Sequence, residues 1–312
     1  MMVEAAAALA GAWGLRELAH RAILRGLRAP RLAHDPPPEF PGAADGVRAW
    51  RIPGPRGKTL AGWLVLPAGS AERPVPAVLV MHGWGANATM MWPVVPPLHA
   101  AGFAVLLLDA RCHGHSDDES FTSMPRFAED IAAGLAWLKR QPQIASDRLA
   151  LLGHSVGAAA SLLHASHERD VRAVVSLSAF AHPREVMCGL LSEKRIPYPV
   201  VGWYVMRQVQ RVIGTNFDAI APVHTIAAVA CPVLVVHGQA DEVVPVDDAA
   251  RIAAGSPRAR LLLVDGGHDL REALAPHART VVEFLRAAGV ADTTSATPDA
   301  RGDAELRCAR AP

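Results

Sequence analysis

The sequence lacks the features that mark several large classes of protein. It has only four cysteines, Cys112, Cys188, Cys231 and Cys308, and none of them forms the CxxC pair of a metal or redox site. Such scattered cysteines argue against a disulfide framework and favour a reducing compartment, so we expect a cytoplasmic protein. The 31 basic and 30 acidic residues nearly cancel and form no basic block, which argues against a nucleic-acid partner.

Sequence features of cofactor sites and membrane spans are also missing. There is no Gly-rich phosphate loop and no dinucleotide-binding fingerprint, so no cofactor is expected. The apolar run at residues 5–15 is shorter than the roughly 20 residues that a bilayer-spanning helix needs. What the 312 residues do have is 51% hydrophobic and 20% charged side chains, a balance typical of a chain that buries a sizeable core.

Residues 1–44 are interpreted as an amphipathic helix followed by a Pro-rich linker. Apolar residues recur at helical spacing and arginines lie between them: Leu15, Leu18, Ala19, Ile23, Leu24 and Leu27, with Arg16, Arg21, Arg25 and Arg28. The prolines at residues 36–38 cannot continue the helix. A helix docked on the domain is the simplest interpretation, while the arginines and Trp13 leave peripheral membrane contact open.

Residues 45–290 have the pattern of one α/β domain. Two predicted strands, Val47–Ile52 and Thr59–Leu66, are joined by a turn rich in Pro and Gly, which is a hairpin signal. Short apolar runs follow, with helical patterns such as Pro125–Lys139 and Ala158–His167 between several of them: Ala77–Met81, Ala104–Leu108, Leu149–Leu152, Ala173–Leu177, Val233–Val236 and Leu261–Val264. This alternation predicts a mixed, mostly parallel sheet of about eight strands with helices on both faces.

One connection is far longer than the others. More than fifty residues separate the runs that end at Leu177 and begin at Val233, and many of them are bulky and apolar. A long insertion at the carboxyl edge of the strands is usually functional, so we predict a small helical cap over a pocket at about residues 180–225. Residues 291–312, rich in Thr, Ala and Arg, are predicted to be a disordered tail.

The strongest functional signal is the pattern G-x-S-x-G at Gly153–Gly157, which is centred on Ser155. It lies between the apolar run Leu149–Leu152 and a helical pattern that begins at Ala158. In a tight connection from strand to helix the serine backbone is strained, and small residues are needed two positions to either side. The hydroxyl then projects at the positive end of a helix, which suits a nucleophile.

This turn resembles the nucleophile turn of the α/β-hydrolase family, in which an acid and then a histidine follow later strands. Asp241 comes after the run Val233–Val236, in a G-x-x-D-x-x-x-P setting, and His268 comes after Leu261–Val264. The resemblance, which covers roughly residues 45–290, implies Ser155 as nucleophile, Asp241 as acid and His268 as base. The other carboxylates nearby are Glu242, an available substitute acid, and the less suitable Asp265 and Asp269.

Two further loops fit the same resemblance. The H-G sequence at His82–Gly85 resembles the loop that completes the oxyanion hole, which implies that the backbone amides of Trp84 and Val156 bind the oxyanion. The segment Asp109–Ser116 resembles the family's D-x-R-G-x-G-x-S turn, but Cys112 stands where the family has glycine. A positive φ at that position would strain the cysteine.

The function that the resemblance implies is hydrolysis of a small carboxylic ester or related acyl compound through an acyl-enzyme, without a metal or cofactor. Peptide or amide cleavage and acyl transfer would use the same triad, and a non-catalytic binding member of the fold is an alternative from another class. A zinc hydrolase is a further alternative, because His113, His115 and Asp117 form an H-x-H-x-D pattern after a strand. The sequence leaves the acyl chain length, the leaving group and the oligomeric state open.

Overall fold

The computed structural model describes residues 2–35, 40, 46–270 and 273–291. The prolines at residues 36–38 and the expected tail from residue 292 onward lie outside these ranges. The expected N-terminal helix is α1 (Met2–Gly26), which begins well before the helical pattern that starts at Leu15. None of the described helices is both long enough and apolar enough to cross a membrane.

The described strands form one sheet of eight strands in the order β1-β2-β4-β3-β5-β6-β7-β8. Their bounds are β1 (Val47–Pro53), β2 (Thr59–Val65), β3 (Val75–Met81), β4 (Ala104–Leu108), β5 (Ile144–His154), β6 (Ala173–Leu177), β7 (Val233–Gly238) and β8 (Ala259–Val264). Strands β3 to β8 pair in parallel, while β2 is antiparallel to both β1 and β4. The predicted mixed, mostly parallel sheet and its opening hairpin are therefore confirmed.

Helices cover both faces of this sheet, because its central strands are apolar on both sides. The remaining helices are α2 (Val95–Ala100), α3 (Met124–Leu138), α4 (Val156–His167), α5 (Pro183–Glu193), α6 (Trp203–Ile213), α7 (Phe217–Ile220), α8 (Pro222–Thr225), α9 (Asp247–Ala254) and α10 (Ala278–Ala287). The core on one face includes Phe127 of α3 and Leu162 of α4, and the core on the other includes Leu98 of α2 and Leu285 of α10. The two cores hold the parallel strands as a rigid layer.

The long connection between β6 and β7 is helical, as its sequence indicates, and consists of α5, a π-helical turn at Tyr198–Gly202, and α6 to α8. Helix α6 buries Met206 and Val209 in the core and packs against α1. Helix α1 itself buries Ile23 in the same core, and Leu27 follows it. The C-terminal end of α1 is thus docked on the domain beside the insertion.

The parallel strands bring four loops to one edge of the sheet. The loop with Trp84 follows β3, Ser155 follows β5, Asp241 follows β7 and His268 follows β8. Because the carboxyl ends of parallel strands share an edge, residues far apart in the chain meet there.

Candidate active site

Ser155 occupies a sharp turn between β5 and α4. Its φ of 53° and ψ of −118° are strained for a residue with a side chain. The turn also brings backbone segments so close together that flanking side chains have no space. A Cβ at Gly153 would lie 2.4 Å from the Gly157 carbonyl oxygen, and one at Gly157 would lie 2.3 Å from the His82 carbonyl oxygen. These contacts explain both glycines of the G-x-S-x-G pattern.

Ser155, His268 and Asp241 form one hydrogen-bonded chain. Ser155 Oγ lies 3.1 Å from Nε2 of His268, and Nδ1 of His268 lies 2.9 Å from Oδ2 of Asp241. Because a carboxylate can only accept, Nδ1 carries the proton and leaves Nε2 free to accept the serine hydroxyl proton. The geometry therefore brings together the three residues that the sequence singled out, in the order serine, histidine, aspartate.

The Asp241 carboxylate is buried, and protein groups donate hydrogen bonds to both of its oxygens. Its Oδ1 accepts hydrogen bonds from the Val243 and Val244 amides, at 2.9 and 2.8 Å, while Oδ2 faces His268. Burial alone would raise the pKa of Asp241, but the hydrogen bonds from the Val244 amide, His268 and the Val243 amide together hold this pKa below its ordinary value. The carboxylate is thus kept ionised beside the imidazole.

A second histidine approaches the same carboxylate. His237 is the penultimate residue of β7, its side chain is fully buried, and its Nε2 lies 3.1 Å from Oδ2 of Asp241 and 3.1 Å from the Val244 carbonyl oxygen. Both neighbours are acceptors, so Nε2 carries the proton. The sequence signal for His237 is weak, since only its position four residues before Asp241 marks it.

The loop that carries His268 is held by its backbone. Nε2 of His154 donates to the His268 carbonyl oxygen at 2.8 Å, and Oγ of Ser178 donates to the same oxygen at 3.2 Å. Burial lowers the pKa of His154, so its ring is neutral. These two donors fix the histidine loop against the nucleophile turn and the end of β6. Sequence reasoning missed them because they lie far from His268 along the chain.

The loop after β3 lies against the nucleophile turn. A Cβ at Gly83 would lie 3.2 Å from the Cβ of Ser155, so the backbone of this loop passes directly beside the serine. In the part of the chain that the structure describes, neither the Trp84 amide nor the Val156 amide donates a hydrogen bond to the protein. Two unpaired N–H groups next to a candidate nucleophile are the donors that an oxyanion hole requires.

Two buried histidines shape this loop. His82 donates from Nδ1 to the Gly83 carbonyl oxygen and accepts the Ala110 amide at Nε2. His113 accepts the Gly85 amide at Nε2. Burial lowers the pKa of both rings, and for His113 burial and the neighbouring His82 bring the pKa to about 3. Both imidazoles are neutral cross-links between loops.

The segment after α1 also supports this loop. The Asn87 side-chain amide donates to the Ala33 carbonyl oxygen at 2.9 Å, and the Thr122 amide donates to the Leu27 carbonyl oxygen at 2.9 Å. The guanidinium of Arg31 donates to the carbonyl oxygen of Ser116 at 3.0 Å. Residues 27–35 therefore join the loop after β3 to the segment that follows β4.

The H-x-H-x-D pattern is not arranged as a metal site. His113 donates from Nδ1 to the Arg111 carbonyl oxygen and uses Nε2 for Gly85, so both ring nitrogens are occupied. Asp117 accepts the Thr59 amide at 2.8 Å. Among the residues that the structure describes, no group of three or more His, Cys, Asp or Glu side chains could hold a metal ion. The zinc alternative therefore lacks an assembled set of ligands.

Cys112 in the same turn has a φ of 66°, so the position does require the left-handed region that favours glycine. The side chain is buried, and the Glu119 amide lies 3.3 Å from its Sγ. Burial raises the pKa of the Cys112 thiol. Cys112 therefore has the strained backbone that the sequence predicts for a cysteine with a positive φ.

An apolar cavity of about 200 Å³ opens beside Ser155 and His268. Its apolar wall consists of Trp84, Met90, Met91, Val94, Leu177, Leu270 and Leu274. None of the residues that line it belongs to the insertion between β6 and β7, so the predicted cap does not cover this pocket. Two larger clefts, of about 530 and 690 Å³, contain none of the three residues of the hydrogen-bonded chain.

Comparisons with known proteins find a matching family and a similar sequence. Residues 72–222, which include the Trp84 loop and the Ser155 turn, match the family described as serine aminopeptidase, S33. An uncharacterized protein of Mycobacterium tuberculosis strain H37Rv is 30% identical over 232 residues, which are 74% of this chain and 74% of that protein.

Solved structures of esterases share the fold. The esterase Pf2001 of Pyrococcus furiosus aligns with a TM-score of 0.65 at 21% identity, over 84% of this chain and 97% of that one. Est1E of Butyrivibrio proteoclasticus, solved with ferulic acid bound, aligns with a TM-score of 0.62 at 24% identity, over 76% and 98% of the two chains.

Proposed function

Because this chain belongs to the α/β-hydrolase family, we propose that it is a serine hydrolase that cleaves carboxylic esters of small acyl groups. The observation that carries the proposal is the chain of hydrogen bonds from Ser155 Oγ to His268 Nε2 at 3.1 Å and from His268 Nδ1 to Asp241 Oδ2 at 2.9 Å. A serine hydroxyl is a weak nucleophile, and a base and an orienting acid at these distances are what activates it.

In the proposed reaction, Ser155 Oγ attacks the ester carbonyl carbon while its proton moves to Nε2 of His268. The imidazolium that forms is stabilised by the ionised Asp241. The oxyanion accepts hydrogen bonds from the Trp84 and Val156 amides. His268 then returns the proton to the leaving alcohol, and water hydrolyses the acyl-enzyme with His268 again as base.

The size of the pocket favours short acyl chains. A cavity of about 200 Å³ is smaller than the range of about 300–1,000 Å³ that is usual for drug-sized ligands. Its walls are mostly apolar, which suits an acyl chain better than a charged peptide terminus. The esterase descriptions of the two solved structures support an ester substrate as well.

Amide cleavage is the second candidate, and it is supported by the family description serine aminopeptidase. An aminopeptidase must bind the ammonium group of its substrate. Among the described residues that line the pocket, Asp269 is the one with a carboxylate. Hydrolysis of amino-acid p-nitroanilides that exceeds hydrolysis of esters, and that is lost in Asp269→Asn, would favour this candidate.

The test of the proposal is hydrolysis of p-nitrophenyl esters from acetate to palmitate. We expect turnover to be highest with short chains, to be unaffected by a zinc chelator, and to fall by about 10⁴-fold or more in Ser155→Ala. Ser166→Ala, which changes a serine on α4 outside the pocket, is the matched control and should keep full activity. Chelator-sensitive turnover that survives in Ser155→Ala would contradict the proposal.

A further inference from the structure

The insertion between β6 and β7 exposes large apolar side chains over a single surface. We call this surface the cap face and define its apolar part as Val186, Leu190, Tyr198, Val200, Val201 and Trp203. Val200 is 75% exposed and Trp203 is 54% exposed, values unusual for side chains of this size. Single exposed apolar residues are normal on soluble proteins, but a contiguous group marks an interaction site.

The cap face is continuous because its elements adjoin one another. Val186 and Leu190 are four residues apart on α5, so they lie on one side of that helix. Helix α5 packs beside the turn Tyr198–Gly202, and Trp203 begins α6 directly after that turn. Part of α6 is already used, since Met206 and Val209 are buried in the core. The exposed apolar side of the insertion is therefore left without a covering element among the described residues.

Basic residues border this apolar surface. Exposed cations of the cap face are Lys194, Arg195, Arg207 and Arg211, and the one acidic residue between positions 186 and 213 is Glu193, so this stretch has a net charge of 4 − 1 = +3. The guanidinium of Arg207 lies 5.8 Å from the Trp203 ring centre. None of the four cations forms an ion pair with an acidic residue in the described ranges. Their charge remains available to an anionic partner.

Helix α1 adds a second element of the same character next to α6. Before Ile23, none of its described side chains is buried. Trp13 is 68% exposed and Leu18 is 65% exposed, and Arg16 and Arg25 are exposed near them. A helix that displays tryptophan, leucine and arginine without cover has the composition of an interfacial helix.

We propose that the cap face, together with α1, binds the surface of an anionic lipid bilayer. Exposed apolar and aromatic side chains would enter the headgroup region, and the bordering cations would meet lipid phosphates. The cations that border the apolar residues give this stretch a net charge of +3, which an anionic bilayer attracts. This inference goes beyond ester hydrolysis and does not depend on it.

The test is flotation of the full chain with vesicles, in the Ser155→Ala protein as well as the wild type, so that binding is measured separately from turnover. One set of vesicles is phosphatidylcholine alone, and the other is equal parts phosphatidylcholine and phosphatidylglycerol. We expect binding to the anionic vesicles that weakens with added salt. Replacing two cations in Arg207→Gln/Arg211→Gln should lower the partition coefficient by about tenfold or more.

Matched variants control for loss of charge or apolar surface in general. Val200→Ser/Val201→Ser/Trp203→Ser removes the apolar centre of the cap face, and Leu261→Ser/Leu263→Ser removes similarly exposed side chains from the edge strand β8. Arg140→Gln/Arg169→Gln removes two exposed cations that lie before β5 and β6, at the amino ends of the parallel strands and away from Ser155. We expect both control proteins to bind like the wild type. The cap-face and control variants, which keep Ser155, should hydrolyse a water-soluble ester normally if the proposed function holds.

Failure of the wild-type protein to bind anionic vesicles would overturn the inference, and so would equal losses in the cap-face and control variants. A third contradicting result would be a dimer in sedimentation that the Val200→Ser/Val201→Ser/Trp203→Ser variant dissociates, with no vesicle binding. In that case the cap face would be an interface between copies of the chain. None of these outcomes would affect the role proposed for Ser155.

Discussion

Nε2 of His237 lies 3.1 Å from Oδ2 of Asp241, the same oxygen that accepts the hydrogen bond of His268 Nδ1 at 2.9 Å. The His268 imidazole therefore hydrogen-bonds one carboxylate oxygen with the His237 imidazole beside it, and the Val243 and Val244 amides donate to the other oxygen. The acid that orients the proposed base is fixed from several directions. We regard His237 as a positioning residue that acts on the base through Asp241.

The first prediction concerns this contact. His237→Leu should lower kcat by about tenfold with little change in KM, because Asp241 loses the imidazole beside it and the Val244 carbonyl loses its donor, while the acyl pocket is unchanged. His237→Gln retains an N–H donor and should recover most of the activity. Urea unfolding of both variants reports any general loss of stability. Equal kcat values for the Gln and Leu variants would show that the contact does not matter for catalysis.

The second prediction concerns the space at the nucleophile turn. Gly157→Ala places a methyl group 2.3 Å from the His82 carbonyl oxygen, so the turn must shift and kcat/KM should fall by at least about a hundredfold. Gly189→Ala is the matched control, since no atom lies within 4 Å of its added Cβ in α5. That control should gain about 0.5–1 kcal/mol in the free energy of unfolding. A fully active Gly157→Ala would contradict the turn geometry.

The third prediction concerns backbone strain at Cys112, where φ is 66°. Cys112→Gly and Cys112→Ala both remove the buried thiol, but only glycine adopts this conformation without strain. We therefore expect the glycine variant to exceed the alanine variant by about 1 kcal/mol in the free energy of unfolding. Chemical denaturation of the two proteins measures this difference. A more stable alanine variant would mean that the position has no positive φ in solution.

The fourth prediction concerns pH and stability. Burial raises the pKa of Asp170, but hydrogen bonds from His164 and Lys139 outweigh burial and lower the pKa from 3.8 to about 2. Because the folded-state pKa lies below the unfolded value, the stabilisation is fully present above pH 3.8 and is lost as pH falls toward 2. Asp170→Asn should cost about 1 kcal/mol of unfolding free energy at neutral pH, because solvent screens this half-buried carboxylate.

Urea denaturation across this pH range tests that prediction. The difference between wild type and Asp170→Asn should shrink steadily as the pH is lowered toward 2. Asp147→Asn, which changes an exposed carboxylate nearby, is the control and should have little effect. A difference for Asp170→Asn that is constant with pH would mean that its carboxylate is not stabilised by these neighbours.

Local sequence patterns were sufficient to predict the strands and the three hydrogen-bonded residues of the candidate site. The run Ala104–Leu108 has the same bounds as β4, and the turn at Ser155 follows its strand as expected. A buried parallel strand is a continuous apolar run, and a nucleophile turn needs glycines at fixed positions, so both can be recognised locally. The order of Ser155, Asp241 and His268 along the chain then follows the order of the strands.

Other features could not be predicted because they arise where distant segments meet. His154 and Ser178 hold the carbonyl oxygen of His268 from 114 and 90 residues away, and no local pattern encodes this. The insertion was expected to cover a pocket because many of its residues are apolar. Instead, some of these apolar side chains, such as Met206, are buried in the core, and others lie on the exposed cap face. Residue Val200, for example, is apolar but is 75% exposed.

The most direct test of the role proposed for Ser155 is covalent labelling of the full chain with a p-nitrophenyl alkylphosphonate, followed by intact mass and peptide mapping. We expect one adduct per chain, on Ser155, with release of p-nitrophenolate. Labelling should be absent in Ser155→Ala and at least about a thousandfold slower in His268→Gln. An adduct on a different residue, or equal labelling of wild type and Ser155→Ala, would contradict the claim that Ser155 is the nucleophile.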